Sequence, residues 1–153
     1  MAGDHDDAPE DDGIPEGFAV LFSDEPFEMH AGPHYFRGDR GQRVAGMRIK
    51  PVHTSASEFA HGGALLAFAD SALTACAMDA TGSIDADNRD VERVATITLN
   101  AEFVAPARVG DWVECRGEVT KLTGSLAFVR GEMTVGGATI MTCSTVLRRW
   151  RPR

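Results

Sequence analysis

Paired cysteines in Cys-x-x-Cys spacing, a basic leader and any broad run of lysine or arginine are all missing from this 153-residue chain. The three cysteines, Cys76, Cys115 and Cys143, are odd in number and each sits in an apolar or alternating segment. That pattern gives neither zinc-ligand spacing nor a dithiol redox centre. It reads as three reduced structural thiols in a cytoplasmic protein. The acidic N-terminus has no basic stretch leading into an apolar one, so no secretory signal is expected, and no apolar run reads as long and charge-poor enough to span a bilayer. Aromatic residues are few, with two Trp and one Tyr. Without a basic face or an aromatic-rich strand, a nucleic-acid partner is not expected.

The charge that is present is unevenly placed. Asp4, Asp6, Asp7, Glu10, Asp11 and Asp12 supply six of the eight net negative charges. Residues 1–12 also lack the branched and aromatic side chains that bury surface, so they read as a disordered acidic tail. Residues 13–153 then form a single domain, since the length leaves no room for a second. Four arginines, Arg148, Arg149, Arg151 and Arg153, crowd the other end.

Between Ser57 and Ala80 the chain is almost wholly apolar at helical length, and Asp70 stands alone in its interior. An ionised carboxylate among apolar neighbours is costly unless partners compensate, which makes Asp70 either a chemical group or a structural acid bonded to a neighbouring strand. The helix is apolar on nearly every side and rich in alanine, so a curved sheet is expected to wrap closely around it. Strict alternation from Ala95 to Phe103 predicts a half-buried strand with Ala95, Ile97, Leu99, Ala101 and Phe103 on one face. Trp112–Thr120, Ser125–Val135 and Thr139–Trp150 predict three more, the last two joined by a tight turn at Gly136-Gly137. These four read as an antiparallel meander. Upstream, 27–31 and 43–50 are further strand candidates, and 13–21 a short turn or helix. One long helix, two strands before it and four after it describe an α+β hotdog fold, a curved antiparallel sheet around a central helix.

At Ala60-His61-Gly62-Gly63, at Asp70 nine positions after the histidine, and at residues 103–111 (FVAPARVGD), the chain resembles the acyl-CoA thioesterases of the hotdog superfamily, within it the phenylacetic-acid-pathway type. The resemblance implies acyl-CoA hydrolysis without a metal or redox cofactor, coenzyme A being part of the substrate. It also implies two subunits, or a tetramer, sharing sites at their interface. The residues support a chemistry of that kind. The N–H of Gly62 lies where a helix opens, with unused donors and a positive dipole end, and the neighbouring Gly63 leaves the backbone open to a ligand. A thioester oxyanion would be held there. Asp70 would act as general base or nucleophile, with Thr74 one turn on positioning water, orienting the carboxylate, or only back-bonding to the Asp70 carbonyl.

Other assignments follow from the resemblance or stand beside it. His61 reads as a packing and hydrogen-bonding residue rather than a base. Ser55 takes the place where relatives commonly carry Asn or Gln; with Glu58 it also fits a capping box that would start the helix. Thr96 matches a Ser or Thr that some relatives contribute from the partner subunit. Arg108, Arg148 and Arg149 are candidates for the phosphates of coenzyme A, the C-terminal cluster being otherwise a solubilising tail. Phe59, Phe68 and Phe103 are candidate linings of the acyl site. A non-catalytic acyl-CoA binder and an acyl-thioester hydratase or dehydratase are the competing functions.

Overall fold

The computed structural model describes residues 13–85 and 92–152. The proposed acidic tail, residues 1–12, lies outside the described residues, as does Arg153. Seven antiparallel strands form one sheet in the order β1-β2-β3-β5-β6-β7-β4. They are β1 (Ala19–Val20), β2 (Tyr35–Arg37), β3 (Val44–Arg48), β4 (Arg93–Phe103), β5 (Trp112–Leu122), β6 (Leu126–Val135) and β7 (Ala138–Trp150). A six-residue helix α1 (Pro26–Ala31) precedes β2, and the twenty-residue α2 (Gly62–Thr81) lies against the concave face of the sheet. This is the hotdog architecture.

The β6–β7 hairpin turns at Gly136 and Gly137, both with positive φ, as the glycine pair requires. α2 ends on Gly82 in the left-handed conformation, whose N–H caps the last carbonyls. The sheet comes close to α2 where two register-paired glycines, Gly117 on β5 and Gly131 on β6, leave room. A Cβ on Gly117 would stand 2.8 Å from Cys76 Sγ, and one on Gly131 would stand 2.7 Å from Leu73 Cδ2. The core between them holds Phe68, Leu73, Met133, Met141 and Leu147, all fully buried.

Four expectations need correction. Residues 27–31 belong to a helix, not a strand; Pro26 at its first turn fixes φ for helix entry, and six residues are too few to display a helical period. The last four strands are not a simple meander, because β4 pairs with β7 at the far edge of the sheet rather than with β5. The alternation in β4 breaks at a register shift between Thr96 and Thr98, which makes Ile97 an extra residue. Leu99 and Ala101 pack on the core as expected, but before the bulge it is Val94 that does so, and Ile97 is exposed. Finally, α2 does have the length and composition to cross a bilayer, yet half of its apolar window is buried inside the fold.

Candidate active site

α2 carries two acids, and they differ in kind. Asp79 is the buried one: it accepts the Gly41 N–H at 2.7 Å and faces Arg43 Nη1 at 3.4 Å, which pins the end of the helix to the β2–β3 connection. Asp70, expected to be enclosed, is half-buried and faces an open cleft of about 800 Å³. Its Oδ1 accepts the Thr96 hydroxyl at 2.6 Å. The bulge in β4 makes this bond possible. It places Thr96 opposite the buried Leu147, on the inner face of the sheet, whereas unbroken alternation from Leu99 would turn it outward. The bond lies within one chain, so Thr96 reaches Asp70 without a partner subunit.

Thr74 and Met78 continue the cleft along α2. The carboxylate's hydrogen-bond partner is Thr96, and the back-bond weighed for Thr74 is not among the hydrogen bonds of the described residues. Glu28 of α1, missed by a reading that made 27–31 a strand, also lines the cleft. A correct helix boundary at Pro26 was the available signal.

The start of α2 forms a second, smaller depression of about 370 Å³, lined by Gly62, Leu65, Phe103 and the 104–107 segment. His61 is the N-cap: its Nδ1 accepts the Gly63 N–H at 2.9 Å. That uses the donor of Gly63 and leaves the Gly62 N–H with no acceptor among the described residues. The capping box at Ser55 and Glu58 does not form, since helix entry is at His61; the Ser55 hydroxyl instead meets that of Ser57 at 2.8 Å. Phe103, about half exposed, lies against Gly62, where a Cβ would be 3.3 Å from its ring. Phe68 is in the core, away from either depression, and Phe59 stacks under Arg108 with 4.6 Å from guanidinium to ring centroid. Eight residues of helix separate Gly62 from Asp70, a rise of about 12 Å.

Of the three arginines expected to meet coenzyme A, Arg108 and Arg148 are exposed. Arg149 is committed: its Nε donates to Glu92 Oε1 at 2.6 Å and its Nη1 to the Thr123 carbonyl at 3.0 Å. The three cysteines are free thiols. Burial pushes Cys76 up to about 11, so it is a packing residue and not a nucleophile at neutral pH.

The hotdog sheet thus carries a half-buried carboxylate on its central helix and, at the helix start, one backbone donor unpaired among the described residues, the Gly62 N–H. The chain belongs to the thioesterase superfamily, whose family model matches residues 58–141. It is 33% identical over 135 residues, 87% of this chain and 95% of the other, to a Pseudomonas aeruginosa protein named "Putative esterase PA0474". Among solved structures, a variant of the phenylacetic acid degradation protein PaaI from Thermus thermophilus superposes with a TM-score of 0.68 at 22% identity, covering 82% of this chain and all of that one. The E. coli PaaI protein from the phenylacetic acid degradation operon gives 0.68 at 16% identity, covering 83% and 86%. These two likenesses establish the fold.

Proposed function

We propose that the protein hydrolyses acyl-CoA thioesters at a site built from two copies of the chain, the Gly62 end of one and the Asp70 cleft of the other. The observation that carries this reading is the separation of about 12 Å between Gly62 and Asp70 along one helix. The oxyanion donor must lie about 3 Å from the carbonyl oxygen, and the acid either about 3 Å from the carbonyl carbon as nucleophile or about 3 Å from the water that attacks that carbon. One chain does not bring them together; a partner's helix running antiparallel across a subunit interface would. β4 supplies the surface for that pairing, being an eleven-residue edge strand with Ile97 and Phe103 exposed.

In this site the Gly62 N–H, at the positive end of α2, polarises the thioester carbonyl. Asp70, oriented by the Thr96 hydroxyl, takes a proton from the attacking water, or attacks the carbonyl carbon to form a mixed anhydride that water then cleaves to the free acid; in both routes coenzyme A leaves as its thiolate. Thr74 helps to place the water. Arg108 and Arg148 are exposed cations available to the phosphates of coenzyme A. The free thiols suit a cytoplasmic enzyme.

Two inactive variants test the shared site. Asp70→Asn removes the base, and Gly62→Pro removes the oxyanion donor at a helix position that tolerates proline. Each alone is expected to lose at least about a hundredfold in thiol release. Unfolded and refolded together, they are expected to recover about a quarter of wild-type activity, because half of random pairs are mixed and each mixed pair holds one intact site. No recovery from a properly paired mixture overturns the two-copy site. Full activity in Asp70→Asn overturns the role of Asp70.

A further inference from the structure

Hydrolysis as proposed makes no use of Glu28, although α1 carries it into the same cleft as Asp70. Its Oε2 accepts from the Ser71 hydroxyl, and from His34 Nδ1 at 2.8 Å. Both donors are buried, and Ser71 is the neighbour of Asp70 on α2. Two fixed donors on one oxygen hold the carboxylate in a single orientation. They leave Oε1 without a partner among the described residues, in a side chain 17% exposed. Burial raises its pKa, but the His34 and Ser71 hydrogen bonds and the His34 charge outweigh this and leave it below the usual carboxylate value, so the group is ionised at neutral pH. Phe22, Met78 and Trp150 supply apolar surface elsewhere in the cleft.

We infer that Glu28 is a specificity-determining residue, selecting acyl groups that carry a hydrogen-bond donor, a hydroxyl or an ammonium, over plain hydrocarbon ones. The inference rests on the thioesterase reading of this cleft. An oriented carboxylate oxygen that loses its water to an alkyl group pays for desolvation with nothing in return, whereas an O–H or N–H replaces that water. Discrimination by a hydrogen-bonding group exceeds what an apolar pocket achieves between substrates of similar size.

Butyryl-CoA, 3-hydroxypropionyl-CoA and β-alanyl-CoA form a matched series ending in methyl, hydroxyl and ammonium. The wild type is expected to favour one or both donor-bearing esters over butyryl-CoA by at least about tenfold in kcat/KM. A larger advantage for β-alanyl marks an ammonium ligand, and a larger one for 3-hydroxypropionyl a hydroxyl. Glu28→Gln is expected to abolish the preference, because its carbonyl keeps the Ser71 and His34 bonds while its N–H₂ replaces the free acceptor. Glu25→Gln, which alters an exposed carboxylate of the same cleft, is expected to keep it. Should Glu28→Gln fail to fold, Glu28→Asp, with the carboxylate withdrawn by one methylene, serves the same test.

Equal kcat/KM across the series, or a preference that survives in Glu28→Gln, overturns the inference while leaving hydrolysis intact. Calorimetric binding of the three corresponding CoA thioethers, which are not hydrolysed, separates the two readings. Binding that discriminates through Glu28 without thiol release from any ester supports Glu28 and overturns the hydrolase. Binding without discrimination overturns the inference.

Discussion

The bond from Thr96 to Asp70 is the residue-scale feature with the clearest expected effect. A hydroxyl donating at 2.6 Å orients the carboxylate and shares its charge. Thr96→Val is expected to lower kcat about tenfold with little change in KM, and Thr96→Ser to restore most of the loss; steady-state kinetics on the best ester measures both. Because Thr96 is exposed in the single chain, the thermal midpoint is expected to stay nearly constant, which separates a positioning role from a structural one. Asp70 was legible because a carboxylate amid alanine and leucine is conspicuous. Thr96 was reached through the family resemblance alone. Its inward orientation depends on the bulge at Ile97, and a strand read by strict alternation puts it on the wrong face. Glu28 was missed because its one cue, Pro26 as a helix start, stands in a window that shows neither a helical nor a strand period.

At the scale of elements, closeness between sheet and helix decides stability. The sequence announced a small-residue helix, and the structure adds the complementary half: the Gly117–Gly131 pair gives α2 its seat. A methyl at Gly131 meets Leu73 on one side and Cys143 Sγ, 3.2 Å away, on the other. Gly131→Ala is therefore expected to destabilise the protein by about 2 kcal/mol through overpacking, lowering the thermal midpoint by roughly 5 °C. Differential scanning fluorimetry checks this, and an unchanged midpoint means that the helix shifts freely over the sheet. The four long strands and α2 were legible within a few residues, because each shows several periods of its pattern. The short elements β1, α1 and β2 show less than two, and their positions come from contacts with β3, α2 and Trp112 rather than from local preference.

For the whole molecule, strand order is the property that sequence reading misplaced. Neighbouring strands usually pair, which made β4 beside β5 the natural expectation. The fold instead sends β4 to the open edge, where its sheet partner is β7, the last strand of the chain. Thr96 is thus held in place by residues synthesised some fifty positions later, and Leu147, opposite it, anchors that register from the core. The candidate cleft therefore needs β7 in place before Thr96 can face Asp70. A chain stopped before Ala138 contains Asp70, Gly62 and Thr96 in full and is expected to release no thiol, as assay of the purified truncation checks. A chain that stops short of β7 thus keeps the residues of the cleft but loses the strand that sets their geometry.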